Sequence, residues 1–360
     1  MFEIEEVKES GPRIRIFGVG GCGCNVINSI VTKNLSDVEF IAVNTGTRSL
    51  NRSLAHQKVQ IGRELTGGDG AGGDSEKGRH AALEDKETLM RCLEETDIVF
   101  IIAGMGKGTG TGAAPVIARL AKEKNLFTIA AVTKPFYFEG RQRSLHAEEG
   151  LRELKKCVDA FIIIPNDKIC PNVQKGTPLM KSFEIANDAL RKVIEGILDV
   201  ILSRGFINTD IADLRTIMKM GGRTLVGIGS GKGEGAAIEA AKKAVSNPLL
   251  EGALLEGARG ILVNITGGLS MSLDAIKDAA SLIYDIDDEA NIILGTVIDE
   301  NMADEVRVTV IATGVDDKGD ELLGNRRWRS QKKPIFFKGS ESILSKNVAR
   351  PSEQLKKDRT

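Results

Sequence analysis

Histidine and cysteine are scarce in this 360-residue chain, with three of the former and five of the latter. The cysteines, Cys22, Cys24, Cys92, Cys157 and Cys170, are scattered, odd in number and never spaced as CxxC. That argues against a disulfide framework and reads as free thiols of a reducing, cytosolic setting. With only His56, His80 and His146 to join them, a zinc site lacks ligands. No apolar run approaches the ~20 residues that span a bilayer. The start, Met1-Phe-Glu-Ile-Glu-Glu6, is acidic and unlike a signal peptide, so a soluble protein is expected. An excess of one charge is also missing. Net charge is −1, which gives no general pull toward nucleic acid or membrane. The average conceals an asymmetry, because from Asp316 onward 12 Lys/Arg face 7 Asp/Glu, leaving +5 on the tail and −6 on the remainder.

Glycine, by contrast, is abundant and clustered. Gly104-Met-Gly-Lys-Gly-Thr-Gly-Thr-Gly112 directly follows the apolar run Asp97–Ala103 and leads into Ala113-Ala-Pro115 and a helical pattern. A buried strand that breaks into glycines and reopens as a helix presents unpaired backbone N–H groups at a positive dipole end, where phosphate binds well. Thr109 and Thr111 can add hydroxyl donors and Lys107 a charge. Walker A is absent, since Gly106-Lys107 and Gly231-Lys232 are each followed by glycine rather than Ser or Thr.

In chain order, Arg13–Gly20 reads as a first strand, Gly18–Gly23 as a turn, and about Asn25–Lys33 as a helix. Glu39–Asn44 is a second strand. This βαβ unit carries GxGxxG, but the acidic residue a dinucleotide site needs at the end of the second strand is absent, and Val43-Asn-Thr-Gly46 stands there. A strand at Lys58–Gly62 leads to the loop Gly67–Gly73, and a helix follows from Asp74 to about Glu95. After strand 97–103 come a helix from about Thr111 to Lys124, a strand at Leu126–Thr133, a helix ending near Cys157, and a strand at Ala160–Asp167. Continuous apolar strands alternating with helices predict a parallel sheet covered on both faces. The three glycine loops, 18–23, 67–73 and 104–112, all adjoin C-terminal strand ends, where open α/β sheets bind ligands.

From Pro178 to Arg204 apolar residues recur at helical spacing on a broad face, predicting one helix ~40 Å long. The loop after it contains Asn208, Asp210 and Asp213; helix capping by Asn208 or Asp210 is one explanation of those residues. Strands at Arg223–Gly229, Gly260–Thr266, Asn291–Ile298 and Glu305–Ala312, with helices near 234–246 and 272–284, predict a smaller α+β domain. Beyond Gly314 the pattern is lost.

These motifs together resemble the tubulin/FtsZ family. The glycine loop with Ala113-Ala-Pro115 is similar to the tubulin signature loop, and the likeness continues in Thr133-Lys-Pro-Phe136, Phe138-Glu-Gly-Arg141, Ile164-Pro-Asn-Asp167, Asn208-x-Asp210-x-x-Asp213, Gly257-Ala-Arg-Gly260 and Asp304–Thr309. It spans residues 11–315. The resemblance implies a tubulin-like α/β fold: an extension (1–12), a Rossmann-type GTP-binding domain (13–177), a central helix (178–204), an α+β domain (205–315) and a flexible basic tail (316–360). It implies a cytoplasmic GTPase that polymerises head to tail into the mid-cell division ring, uses GTP/GDP and Mg²⁺, and meets membrane-anchoring adaptors. Gly20, Gly21, Gly72, Gly106, Gly108, Thr109 and Gly110 are the implied phosphate contacts, and Asn25 and Lys107 are further candidate nucleotide-binding residues. Glu139 and Arg143 are implied at the ribose and phosphate, and Asn166, Asn187 and a stacking Phe183 at the base. Asn208, Asp210 and Asp213 are the implied catalytic set. Asn187 to Arg204 already spans ~26 Å of helix, so those acids would serve the nucleotide of the next subunit.

Several positions depart from the family pattern. Lys107 replaces a glycine, Gly46 replaces an aspartate, Cys22 and Cys24 replace small residues, and Gly73-Asp-Ser75 replaces Ala-Asn-Pro. The tail lacks a clear adaptor-docking peptide. With Trp328, Phe336 and Phe337 among its basic residues, it suits an anionic membrane, a neighbouring filament or plain solvation. A filament scaffold with weak hydrolysis stands as the alternative, motivated by Gly46 and Lys107. An NAD-dependent oxidoreductase rests on GxGxxG alone.

Overall fold

The apolar runs fold as the interior strands of one mixed sheet. The structure, a computed structural model, describes residues 11–33, 35, 37–169, 176–202, 211–247, 257–284 and 290–315. Strands β1 (Ile14–Val19), β2 (Val38–Asn44), β3 (Gln57–Gln60), β4 (Ile98–Gly104), β5 (Phe127–Lys134) and β6 (Ala160–Pro165) are all parallel. The sheet continues through β7 (Arg223–Lys232), β10 (Glu305–Val315), β8 (Gly260–Gly267) and β9 (Asn291–Ile298), in the order β3-β2-β1-β4-β5-β6-β7-β10-β8-β9. Only β10 runs antiparallel to its neighbours.

Helices α1 (Gly20–Ile30), α2 (Thr47–Asn51), α3 (Arg63–Thr66), α4 (Ser75–Glu84), α5 (Lys86–Arg91), α6 (Gly108–Glu123), α7 (Arg141–Lys155) and α8 (Asn166–Ile169) join the strands of the first half. Alternating residues of each strand feed opposite faces. Ile16 packs with Ile27, Leu190, Ile194 and Ile197 on one side, and Phe17 with Val99, Ile117 and Leu151 on the other. This two-sided burial is what continuous apolar strands demand.

Helix α9 (Leu179–Leu202) is the long central helix, and its buried Leu190, Ile194 and Ile197 face the first half's core. Its opposite side meets the second half, where a Cβ on Gly196 would lie 3.0 Å from Ile228 and 3.2 Å from Thr309. An Asp199–Arg307 ion pair at 2.9 Å ties α9 to β10. The second half adds α10 (Ile211–Met218), α11 (Ala236–Val245) and α12 (Leu273–Tyr284), with a core of Leu225, Ala240, Ile261 and Val308. Its sheet joins the first at one register pair, Ile162↔Thr224, and the described residues lie in one compact unit.

Some elements differ from their expected extent. Helices α1 and α6 begin at Gly20 and Gly108, earlier than about Asn25 and Thr111, because the glycines form the first helical turns rather than open loops. The helix expected from Asp74 to about Glu95 is broken at Asp85, whose carboxylate accepts from the Gly62 N–H at 2.7 Å. The sixth strand ends at Pro165, and Asn166 opens α8.

Candidate nucleotide site

Two helix N-termini converge at the C-terminal edge of the parallel strands. Helix α1 opens directly from β1 at Gly20, and α6 opens at Gly108, four residues beyond the end of β4. Gly20 holds φ +72, and a Cβ there would meet the Gly110 nitrogen at 3.0 Å. Only glycine combines that backbone with that approach. Gly106, at φ +96, has the same constraint, since a Cβ there would lie 2.7 Å from the Arg143 carbonyl oxygen. Its N–H donates to Thr111 Oγ1 at 2.9 Å, so the threonine fixes the loop from inside. Thr109 and Thr45 hydroxyls share a 2.7 Å bond, tying the loop to the end of β2. Thr45 had no role in the sequence reading, although its position at a strand's C-terminal end was the available signal.

Around this pair stand the other candidates. Gly72 and Gly21 are exposed, as is Asn25 on the first turns of α1. Glu139 accepts from the Phe136 N–H at 3.1 Å and pairs with Arg143 in the first turn of α7. Asn166 is buried, and its Oδ1 has no hydrogen-bond partner among the described residues. Phe183 meets Phe136 edge-on at 5.3 Å, and Phe136 stacks on Phe138 at 5.0 Å. Asn187 Oδ1 accepts from the Cys22 thiol at 3.6 Å. Burial raises the Cys22 pKa, offset in part by the Thr133 hydroxyl and the nearby Lys107 charge. Phosphate-side, ribose-side and base-side candidates thus surround one edge of the sheet.

Asp213 lies elsewhere, in the first turn of α10. Two residues on, Arg215 donates to the Asp97 carbonyl at 3.4 Å and covers the Phe127 ring at 5.3 Å. Asp97 precedes β4 and Phe127 opens β5, so this contact is at the N-terminal edge of the strands. Asn208 and Asp210 lie outside the described residues, as do Cys170 and the tail from 316 onward.

Comparison with known proteins gives the lineage. A family model described as "Tubulin/FtsZ family, GTPase domain" matches residues 13–174, and "FtsZ family, C-terminal domain" matches residues 222–316. The structure of an empty FtsZ dimer from M. jannaschii is 36% identical, with a TM-score of 0.80 over 85% of this chain and 89% of that one. The chain belongs to the tubulin/FtsZ family. It is a GTPase of that family, with GTP and GDP as the nucleotides its GTPase domain binds. A CetZ2 protofilament structure from Haloferax volcanii, at 22% identity and TM-score 0.76 over 88% of this chain and 98% of that one, shares the fold.

The departures from the family pattern sit without strain. Lys107 caps α6 in extended backbone, φ −110 and ψ −175, with its side chain exposed. Gly46 has φ −97 and forms an isolated antiparallel backbone bridge with Asp69 of the second glycine loop. Among the described residues no group of three His, Cys, Asp or Glu could cage a metal. No helix among the described residues is long and apolar enough to cross a membrane.

Proposed function

We propose that this chain is a GTP-dependent, head-to-tail polymerising GTPase of the division ring, in which the acidic loop of one subunit completes hydrolysis at the nucleotide of the next. The observation that carries this reading is the separation of the two candidate half-sites. The glycine loop begins at the C-terminal end of β4, whereas Arg215, close to Asp213, touches the residue before its start. Seven residues of strand are ~20 Å long, too far for a carboxylate to act on its own subunit's γ-phosphate. Stacking subunits along that direction would bring the two together, and such an interface makes open filaments. The FtsZ dimer and CetZ2 protofilament among the similar structures fit this arrangement.

In this reading the N–H groups of Gly106, Gly108, Thr109 and Gly110 hold the phosphates with Gly20, Gly21, Asn25, Gly72 and Lys107. Glu139 and Arg143 hold the ribose side, and Phe183 stacks on the base. Asn166 Oδ1 supports a guanine ligand. A buried acceptor without a donor costs about 1–3 kcal/mol, and the Watson–Crick edge of guanine offers two N–H donors. Asp213, with Asn208 and Asp210, would orient and polarise the attacking water, while the converging helix N-termini take up charge on the transferring phosphoryl group. Bound Mg²⁺ would supply further neutralisation of the phosphates. The protein acts in the cytoplasm at mid-cell, and its basic tail is where an adaptor or anionic membrane would bind.

A second reading, a filament scaffold that binds GTP and turns it over weakly, rests on Lys107 and Gly46. Light scattering with simultaneous phosphate release separates the two. For the catalytic reading, Asp213→Ala should assemble yet release phosphate at least about 100-fold more slowly, the scale of a lost general base. Wild type that assembles and releases no more phosphate than Asp213→Ala would leave the scaffold reading standing.

A further inference from the structure

We infer that Lys107 is a resident cation of the phosphate site that makes it favour nucleoside triphosphate over diphosphate; this rests on the nucleotide-site reading above. Three observations meet at this residue. Lys107 occupies the N-cap position of α6, a 16-residue helix whose positive end opens at Gly108, and its exposed side chain makes no capping hydrogen bond. A second helix N-terminus, that of α1, is packed against the same turn through Gly20 and Gly110. Lys107 also lies near enough to Cys22, in the first turn of α1, for its charge to act on that thiol.

The nearby charges are otherwise committed or directed elsewhere. Arg143 is paired with Glu139. Lys134, at the end of β5, is paired with Glu148 at 2.9 Å. Asp74 spends its carboxylate capping α4, accepting from the Glu76 and Lys77 N–H groups. Lys107 itself forms no ion pair and no hydrogen bond among the described residues. A long cationic side chain left without a carboxylate, beside two helix N-termini, adds to a positive local potential that attracts an anion.

The backbone donors of the loop serve any phosphate that reaches them, so they hold diphosphate and triphosphate alike. A lysine ammonium is a mobile point charge on a four-carbon stem and can follow the added phosphoryl group. GTP carries about one more negative charge than GDP at neutral pH, and that extra charge is what Lys107 would meet. The preference therefore arises from charge rather than from loop shape. The same chemistry predicts that the preference weakens as salt screens the pair.

The test is calorimetric titration of full-length wild type, Lys107→Gln and Lys107→Arg with GTP and separately with GDP, magnesium present throughout, at low and at high salt. The exposed, unstrained position leaves folding intact, which thermal melts of each variant check. Lys107→Gln should lose roughly tenfold in GTP affinity and about threefold or less in GDP affinity, the scale of one partly screened charge pair. Lys107→Arg should keep the wild-type ratio, and high salt should move wild type toward the Gln variant. Equal losses for both nucleotides, or no loss, would overturn the role of Lys107 while leaving the nucleotide site standing. Wild type that binds neither nucleotide would sink both.

Discussion

Cys24 shows how a single residue of the first loop carries a pH dependence. It is buried in α1, donates to the Gly18 carbonyl and receives the Asn44 amide. Burial pushes its pKa from 9.0 to about 11, with the Asn44 amide drawing it back only partly. An unfolded chain ionises this thiol above pH 9, whereas the folded chain holds it neutral. The stabilisation is therefore complete below pH 9 and is lost as pH rises toward 11. Two pK units correspond to about 3 kcal/mol. Urea unfolding of wild type and Cys24→Ala at pH 8, 9, 10 and 11 should show the wild-type curve falling more steeply above pH 9. Parallel curves for the two proteins would refute the assignment. The same environment keeps the thiol inert, which accounts for the compatibility of two adjacent-turn cysteines with a nucleotide loop.

At the scale of elements, α9 is the piece on which both halves depend. Its buried leucine and isoleucines belong to the first core, while Gly196 and Asp199 engage β7 and β10. Ile197→Ala should cost about 3 kcal/mol, within the range for deleting a fully buried aliphatic chain. Far-UV circular dichroism in denaturant should show one shifted transition. Two separated transitions, with the second half unaffected, would show that α9 does not couple them. The helix was legible in the sequence because its apolar period runs for more than six turns. The strands were legible because each is buried on both faces, and Asn291–Ile298 was read to the residue. Short elements were not: α2, α3 and α10 hold four to eight residues and carry too little period. The first turns of α1 and α6 escaped for a different reason, since glycine there reflects close backbone packing, a tertiary property. Continuity of the sheet across β6 and β7 was equally hidden, because a single paired register leaves no mark in either strand. At the site, glycines and motif residues were visible, while Thr45 and the Cys22–Asn187 contact required the fold to bring distant segments together.

For the molecule as a whole, the separation of half-sites makes a prediction no single chain can satisfy alone. Asn166→Ala/Asn187→Ala removes the base-side amides and so disables the nucleotide face, leaving the acidic loop intact. Asp213→Ala does the reverse. Each variant alone should release little phosphate, the first for want of bound nucleotide and the second for want of a carboxylate at every junction. Mixed in equal amounts, about one junction in four joins an intact nucleotide face to an intact acidic loop, given head-to-tail stacking. Phosphate release should therefore recover to about a quarter of the wild-type rate and rise more steeply than linearly with total protein. Were hydrolysis completed within one chain, mixing would add nothing, since neither subunit holds both halves. A mixture no more active than the sum of its parts, at concentrations where light scattering reports filaments containing both variants, would reject the shared site and confine catalysis to residues on the nucleotide edge of the sheet.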